Sequence, residues 1–371
     1  MAHTTDALVV SSVGTLPKLT TVILSPIKPT EVLVQMHAAG ICNTDLACMA
    51  GKLPAEFPNV LGHEGAGVVR QIGDRVDHVK VGDKVLLSYN FCQACSACRS
   101  NTPAYCDKMF QLNFGGRRLD GSRPLSLEDG IEIFSNFFGQ SSFCRLAVVS
   151  QSSLVTVPQE TPLELYAPLG CGFQTGAGSI INVLNVQPGS SVAISGVGSV
   201  GLSAIMAAKF RQAAIIIAID INTERLELAE ALGATHTLLG SDEHLAERVR
   251  EICQPSNGVQ SALDCSGVTL VISKLIDSLA TRGRAVSVGA SAPGKRVGVE
   301  LFSHLSHGRE YRGSHQGDSV AKEMIPFLIE QHQKGLYPLE KIVTYYNIDD
   351  YAQAFKDMKD GKVIKAVLKW V

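Results

Sequence analysis

The sequence predicts an α/β protein in which a doubly wound parallel sheet is joined to a second, mostly β domain. Two patterns predict this fold class. Short β-like runs broken by glycine and proline fill residues 1–175, whereas continuous apolar strands alternate with amphipathic helices over 176–314. The second pattern is typical of a parallel sheet covered by helices on both faces. We therefore place a domain boundary near residue 175 and expect 315–371 to return to the first domain.

The first domain is predicted to be mostly β because helix-length periodic stretches are few there. Runs with strand composition, each bounded by turn residues, mark its strands. These runs are 21–24, 31–36, 67–71, 84–88 and 145–149.

The second domain is predicted to alternate strands with helices. Its expected strands are 191–195, 213–219, 236–239, 261–264 and 284–288. Its expected helices are 199–210, 224–232, 244–253 and 270–280. The last part of the chain has a helical pattern over 319–334 and a strand-like pattern over 363–369.

Composition excludes several classes of protein. Lysine plus arginine (33) nearly balance aspartate plus glutamate (35) among the 371 residues, which argues against a nucleic-acid partner or a polybasic membrane patch. The apolar run 213–219 is too short to span a bilayer. No basic residue precedes an apolar stretch at the N-terminus, which argues against a secretory signal. We therefore expect a cytoplasmic protein whose ten cysteines are thiols or metal ligands rather than disulfides.

A glycine-rich turn after the strand at 191–195 predicts a dinucleotide site. Gly196 permits a tight turn, Gly198 lets backbone amides approach a pyrophosphate, and Gly201 lets the next helix pack closely on the strand. Asp220 ends the following strand, where a carboxylate can bind the ribose diol of adenosine and repel a 2′-phosphate. This order of elements predicts a Rossmann domain, and we favour NAD over NADP.

Asp220 and Arg225, which lies five residues further along the chain, also have purely structural interpretations. Asp220 could be a solvated acid at a strand end. Arg225 could stack on the adenine or form a salt bridge along its own helix.

A run of closely spaced cysteines predicts a structural zinc lobe over about 90–110. Four thiols at Cys92, Cys95, Cys98 and Cys106 can surround a tetrahedral ion, and thiolates suit zinc. A disulfide pair and an iron–sulfur cluster are the alternatives for this spacing. Four protein ligands leave no position for a substrate, so the role would be structural.

A second set of residues is dispersed. Cys42, His63 and Cys171 each lie in a glycine-containing segment. Taken singly, the two cysteines read as small buried hydrophobes and the histidine as a core residue. Sequence spacing alone does not join them.

Taken together, these motifs resemble the zinc-dependent alcohol dehydrogenases of the medium-chain dehydrogenase/reductase superfamily over essentially the whole chain. The run Gly62-His63-Glu64-x-x-Gly67, followed by Gly73 and Val76, matches the zinc signature of that family. Segments 169–178 and 111–118 look like the aryl- or benzyl-alcohol dehydrogenase subgroup. The resemblance implies a GroES-like catalytic domain beside the Rossmann domain.

The resemblance also implies a catalytic zinc ion bound by Cys42, His63 and Cys171, with a fourth position open for water or substrate oxygen. With the cysteine lobe, this gives two zinc ions per chain. The implied reaction transfers a hydride between NAD(H) and a small alcohol or aldehyde. Family members commonly pair through the edge of the nucleotide-binding sheet, which implies a homodimer or homotetramer.

Supporting roles follow from the same resemblance. Thr44 matches the hydroxyl that takes the alcohol proton, and Asp45 matches the carboxylate that orients the zinc-bound imidazole. Glu64 matches an acid beside the metal. For the first two, ordinary hydrogen bonding within a loop is the alternative.

Three further positions match coenzyme contacts. Thr175 and Val200 match residues that pack against the nicotinamide. Lys365 matches a basic contact to the pyrophosphate, with a solvated surface charge as the alternative.

Two positions depart from the pattern of the liver-type members. Ala47 stands where those members have a histidine that completes a proton relay to solvent, so the proton must leave through water or another base. Asn43 replaces a basic pyrophosphate contact seen in some members.

We expect an NAD-linked, zinc-dependent dehydrogenase or reductase for primary aromatic or allylic alcohols and aldehydes. One alternative is a biosynthetic enzyme acting on a larger natural-product aldehyde or alcohol. Another is a non-redox binding protein that retains the fold, because a fold alone does not define an activity.

Overall fold

A computed structural model describes residues 3–370, and the chain divides into two compact units. The first unit runs to Cys171 and also takes in Val320–Ile329 and the chain from Leu339 onward. The second unit comprises Gly172–Ser319 and Glu330–Pro338. The last strand lies in the first unit, and the helix Ala321–Gln333 contributes to both.

The first unit contains two sheets. The smaller sheet is antiparallel, with the strand order Asn59–Val60, His3–Val10, Lys18–Leu24, Leu125–Leu127 and Glu132–Ile133. The larger sheet has the order Leu154–Val157, Lys84–Leu87, Gly65–Ile72, Glu31–Gly40, Lys365–Lys369 and Val343–Asn347, and Leu146–Ser150 also pairs with Glu31–Gly40. The α-helices of this unit are Asn43–Met49, Ser96–Arg99, Met109–Phe114, Leu163–Tyr166 and Tyr351–Lys359.

The centre of the larger sheet is the strand Glu31–Gly40. It is buried along nearly its whole length, since Val32, Val34 and Met36 have no exposed surface. Burial of β-branched and apolar side chains holds this strand in place between its neighbours. Its carboxyl end leads directly into the candidate site described below.

The second unit contains a six-stranded sheet in which every neighbouring pair is parallel. The strand order is His236–Leu239, Ile215–Asp220, Ser191–Ser195, Val259–Asp264, Leu279–Ser287 and Glu310–Gly313. The helices are Gly172–Gly178, Ser199–Phe210, Thr223–Leu232, Leu245–Ile252, Thr269–Asp277 and Leu301–Ser306. The order reverses at Ser191–Ser195, which is the switch point of a Rossmann sheet. The predicted fold class is confirmed.

The structure differs from the predicted elements chiefly at three places in this sheet, the first being the strand expected at 284–288, which is Leu279–Ser287. The strand expected at 213–219 is Ile215–Asp220, because Gln212 adopts a left-handed φ of 61° and prolongs the preceding turn. The edge strand Glu310–Gly313 was missed because its Glu-Tyr-Arg-Gly sequence has no apolar run, and all four residues are exposed.

Across residues 3–370, no helix combines the length and the apolar character needed to cross a bilayer.

Candidate metal and coenzyme sites

Four buried side chains of the first unit converge on one point. One donor atom each from Cys42, His63, Glu64 and Cys171 lies within 4.8 Å of the other three. The structure thus brings together three residues that the sequence left dispersed. We call Cys42, His63 and Cys171 the ligand triad.

Local structure explains how each member of the triad is positioned. Cys42 directly precedes the helix Asn43–Met49, and His63 lies just before the strand Gly65–Ile72. Cys171 ends a short 3₁₀ turn. All three are therefore held at the ends of regular elements rather than in long loops.

Asp45 ties two triad members together. Its Oδ1 lies 3.1 Å from His63 Nδ1 and also accepts a hydrogen bond of 3.1 Å from the backbone N–H of Gly62. Its Oδ2 accepts a 2.9 Å bond from the backbone N–H of Cys42. In the neutral imidazole, the carboxylate assigns the proton to Nδ1, so that Nε2 is the nitrogen whose lone pair can bind a metal.

The triad fits a zinc ion. His63 Nε2 is buried and has no hydrogen-bond partner within residues 3–370, which is an unfavourable state for a polar atom unless a ligand completes it. Two thiol sulfurs and one imidazole nitrogen form a donor set that suits zinc and leaves its fourth position open.

The triad is also electrostatically coupled. The hydrogen bond between Cys42 and Cys171 lowers the pKa of Cys42 well below its usual value and raises that of Cys171. Burial lowers the pKa of His63, but the Asp45 carboxylate and Cys42 outweigh it, so the pKa lies well above its usual value. The pocket therefore already favours a thiolate, the form that binds metals.

Glu64 and Lys365 form a buried ion pair beside the triad. Lys365 Nζ lies 2.9 Å from each Glu64 oxygen and donates a 3.1 Å bond to the carbonyl of Ile41, and neither charged side chain is exposed. Burial raises the pKa of Glu64 to about 7, with Lys365 opposing that shift. Burial lowers the pKa of Lys365, but Glu64 raises it by more, so the lysine stays protonated.

This pair corrects one expectation from the resemblance. Lys365 was expected to contact the coenzyme pyrophosphate, but its side chain is completely buried and its ammonium faces Glu64. A charge beneath the surface and already paired is not available to a phosphate. Gly40 makes room for the pair, since a Cβ there would overlap Glu64 Oε2.

Two residues that contact His63 were not among the predicted site residues. The ring of Phe138 stacks on the imidazole with centroids 4.5 Å apart, although its φ of 53° is unusual for a bulky residue. Gln140 Nε2 donates a 2.9 Å hydrogen bond to the backbone carbonyl of His63. No sequence signal marks Gln140.

Thr44 lies close to the triad, on the first turn of the helix that follows Cys42. Its Oγ1 is 3.8 Å from Cys42 Sγ. On the same helix, Ala47 presents only a methyl group, and Asn43 is exposed.

The cysteine lobe forms a second cluster. One sulfur each from Cys92, Cys95, Cys98 and Cys106 lies within 4.8 Å of the others, and all four are free thiols. None of these sulfurs is bonded to another in this structure, which favours a shared ion over a disulfide pair. The cluster fits a tetrahedral ion because four thiols surround a single point.

Backbone amides surround these sulfurs. The N–H groups of Cys92 and Lys108 donate to Cys106 Sγ at 3.3 and 3.4 Å. Hydrogen bonds from the backbone of Asp107 and Cys98 lower the pKa of Cys95 to about 6. Such donors stabilise the thiolate form that a metal requires.

The glycine-rich turn of the second unit has the geometry that a pyrophosphate needs. Gly196 has a φ of 78°, and a Cβ there would lie 2.8 Å from the backbone nitrogen of Ser266. A Cβ on Gly201 would overlap the carbonyl of Gly196. A Cβ on Gly198, which directly precedes the helix Ser199–Phe210, would have no other atom within 4 Å, so space is open there. The turn thus fits a dinucleotide.

Asp220 is tied into this turn. Its Oδ2 accepts a 2.8 Å hydrogen bond from the backbone N–H of Val197, and its Oδ1 accepts a 3.0 Å bond from that of Asn222. Nearby, Nε of Arg225 is buried and without a hydrogen-bond partner in the described part of the chain. The carboxylate is therefore held at the strand end with its charge beside the turn.

Thr175 and Val200 lie on two helices that pack closely in the second unit. A Cβ added to Gly176, next to Thr175, would overlap the carbonyl of Val200. Thr175 Oγ1 donates a long 3.4 Å bond to Gln316, a residue that the sequence analysis missed. Gln316 itself has a left-handed φ of 55°, for which its sequence carries no signal.

The fold and these sites define a zinc-type dehydrogenase, and comparison with known families agrees. The family model for the Alcohol dehydrogenase GroES-like domain matches residues 28–159, and that for Zinc-binding dehydrogenase matches 199–330. The chain belongs to the zinc-type alcohol dehydrogenase family of the medium-chain dehydrogenase/reductase superfamily. This confirms the resemblance indicated by the sequence motifs.

Individual relatives are similar over nearly the full chain. A geraniol dehydrogenase from Castellaniella defragrans is 40% identical over 344 residues, covering 92% of this chain and 91% of the relative. An S-(hydroxymethyl)glutathione dehydrogenase from Saccharomyces cerevisiae is 33% identical, covering 92% and 90%.

Solved structures give the same result. The benzyl alcohol dehydrogenase of Acinetobacter calcoaceticus superposes with a TM-score of 0.95 at 37% identity, covering 100% of both chains. An alcohol dehydrogenase zinc-binding domain protein from Burkholderia ambifaria gives 0.96 at 40% identity, covering 100% of this chain and 99% of that one.

Proposed function

We propose that this protein catalyses the reversible, NAD-linked oxidation of a primary aromatic or allylic alcohol at a zinc ion bound by Cys42, His63 and Cys171. The convergence of these three donor groups in one buried pocket carries the proposal. A zinc ion bound there acts as a Lewis acid that lowers the pKa of an alcohol and polarises an aldehyde.

The chain's own residues prepare this chemistry. Asp45 holds the imidazole of His63 in the tautomer that offers Nε2 as a ligand. The hydroxyl of Thr44 accepts the alcohol proton, a role supported by its place 3.8 Å from Cys42 Sγ. Lys365 compensates the charge of Glu64, so that an extra negative charge does not compete beside the thiolates.

The coenzyme is proposed to be NAD rather than NADP. The turn from Gly196 to Gly201 receives the pyrophosphate, and Asp220 places a carboxylate where the 2′-phosphate of NADP would lie. Arg225 is available to stack on the adenine. Thr175 and Val200 are proposed to pack against the nicotinamide.

The proposed substrate class rests on the names of two relatives and on nearby aromatic rings. Geraniol is an allylic alcohol and benzyl alcohol an aromatic one, and the enzymes named for them are 40% and 37% identical to this chain. Phe138 lies against His63, and Phe114 and Phe137 pack edge-on around Phe138. These rings make the surroundings of the triad aromatic.

A second zinc ion is proposed in the cysteine lobe, where four sulfurs complete the coordination. It would fix the segment around 90–110 without contacting substrate.

Two copies of the chain are proposed to pair through the edge strand Glu310–Gly313. An exposed strand edge offers unpaired backbone groups to a partner. Beside it in sequence, Leu301, Phe302 and Leu305 are 74%, 75% and 66% exposed, which is unusual for large apolar residues. Light scattering on Phe302→Glu tests this assignment, since a charge in the interface should dissociate the oligomer.

The deciding experiment measures zinc per chain together with benzyl alcohol oxidation using NAD and NADP. We expect two zinc ions per chain and faster turnover with NAD. Cys171→Ser should lose one zinc ion and all activity, whereas the control Cys253→Ser, a buried cysteine of the second unit, should keep both. Equal zinc content in the two variants would refute the site.

A further inference from the structure

We propose that Gln140 is a positioning residue that joins the His63 and Cys171 segments of the ligand triad. The inference rests on the proposed zinc site and adds a residue to it. Asp45 links Cys42 to His63 by direct hydrogen bonds, but it does not reach the third ligand.

Gln140 is completely buried, and its side-chain amide makes three hydrogen bonds to the backbone. Its Oε1 accepts a 3.1 Å bond from the N–H of Gly65, and its Nε2 donates to the carbonyls of His63 at 2.9 Å and Ser88 at 3.0 Å. Only this orientation works, because the reverse one would place the amide oxygen against two carbonyls. Gln140 therefore holds the chain on both sides of Glu64 and connects it to Ser88.

Ser88 continues the connection to Cys171. Its Oγ donates a 2.7 Å hydrogen bond to the carbonyl of Gly170, the residue just before the ligand. Gly170 itself is pressed against the neighbouring chain, since a Cβ there would overlap the carbonyl of Leu87. Two side chains thus span the distance between ligand segments that are far apart in the sequence.

The physical consequence concerns the geometry of the triad. If the backbone of a triad residue can shift, the distances between the sulfur and nitrogen donor atoms vary over a wider range. Replacing a residue that hydrogen-bonds to a metal ligand typically changes metal affinity about 10- to 100-fold. Loss of the Gln140 amide also removes one hydrogen-bond partner from a backbone N–H and from two backbone carbonyls, so their segments must shift to recover hydrogen bonds.

The test uses the holoenzyme with cobalt in place of zinc, because the d–d absorption of cobalt responds to ligand geometry. Gln140→Met keeps the length of the side chain and removes all three hydrogen bonds. Gln140→Glu keeps the size of the side chain and the oxygen that accepts from Gly65, but it removes the amide N–H groups that donate to His63 and Ser88. This variant is the substitute test if Gln140→Met does not fold. The matched control is Asn113→Leu, which removes another buried amide, one that hydrogen-bonds to the backbone of Asn90 and not to the backbone of a triad residue.

We expect both Gln140 variants to shift the d–d bands and to release cobalt to a chelator about 10-fold faster than wild type. They should lower kcat while leaving the KM for NAD unchanged. Asn113→Leu should retain the wild-type bands even if its thermal midpoint falls. Gln140 variants with wild-type bands and release rates would overturn the inference. A wild-type protein without a cobalt spectrum would instead refute the proposed zinc site itself.

Discussion

Replacing Lys365 with methionine tests the buried ion pair beside the triad. The substitution keeps the length of the side chain and removes its charge, which leaves the Glu64 carboxylate buried without a counter-charge. It also removes the donor that satisfies the carbonyl of Ile41. Breaking a buried pair in this way is typically destabilising by about 3–5 kcal/mol.

At pH 7, protonation of Glu64 should keep the loss in unfolding free energy at the lower end of that range. Without the lysine, the favoured state of Glu64 is the protonated one, because burial already raises its pKa from 4.5 to about 7 with the lysine present. A neutral carboxyl is much cheaper to bury than an unpaired carboxylate, so protonation relieves most of the penalty for losing the lysine. We therefore expect a loss of about 3 kcal/mol in the free energy of unfolding.

The expected pH dependence follows from proton binding. The folded variant carries a proton that the unfolded chain has released at pH 7, so lowering the pH stabilises the folded variant. Because wild-type Glu64 also binds a proton below its pKa of about 7, the deficit relative to wild type should grow by about 1.4 kcal/mol per pH unit above pH 7 and level off below it.

A single tryptophan reports on the unfolding of the first unit. Trp370 is the one tryptophan of the chain, it is buried, and it directly follows the strand that carries Lys365. Urea unfolding followed by tryptophan fluorescence therefore measures the first unit. The control Lys362→Met removes an exposed lysine whose ion pair with Asp357 is 3.6 Å long, and it should cost less than about 1 kcal/mol.

Two results would refute this reasoning. One is a Lys365→Met variant whose unfolding free energy lies within about 1 kcal/mol of that of the Lys362→Met control. The other is a large loss of NAD affinity, about 10-fold or more, in a fully folded variant, since that would restore the pyrophosphate contact rejected above.

Three further predictions concern other parts of the molecule. Asp220→Ser should raise the ratio of kcat/KM for NADP to kcat/KM for NAD by about 10-fold or more, because it removes a repulsion of about 1.4 kcal/mol or more between the carboxylate and the 2′-phosphate. An unchanged ratio would contradict the assignment of Asp220. Cys95→Ser should lose one zinc ion, as measured by metal analysis, and lower the thermal midpoint, as measured by calorimetry. The neighbouring control Ser96→Ala should keep both zinc ions and the wild-type midpoint. The wild-type kcat–pH profile should lack a histidine-like limb near about pH 6–7, and Ala47→His should introduce one; a wild-type profile with that limb would contradict the interpretation of Ala47.

Local sequence patterns were sufficient to predict most strands and helices of the second unit. The strand Ser191–Ser195 and the helix Ser199–Phe210 occur at their predicted bounds, because apolar runs and the glycine turn are signals within a few residues of one another. Glu310–Gly313 escaped prediction because an exposed edge strand needs no apolar run. Its place in the sheet comes from pairing with Leu279–Ser287.

The candidate site divides in the same way. The chemistry of each donor and the compact cysteine lobe can be recognised from residue type and short spacing. The assembly of Cys42, His63 and Cys171 cannot, because it depends on where three remote segments end in the folded unit, and only the family resemblance joined them beforehand.

The sequence by itself determined the fold class, the glycine turn with its acidic strand end, and the side-chain types that are candidates for binding metals. Only the tertiary structure decided that Lys365 pairs with Glu64 instead of facing the surface, and that Gln140 connects His63 to Ser88. The reason is physical. A motif is a local pattern along the chain, whereas the partner of a buried charge or amide is set by long-range packing, which must satisfy every polar group it removes from water.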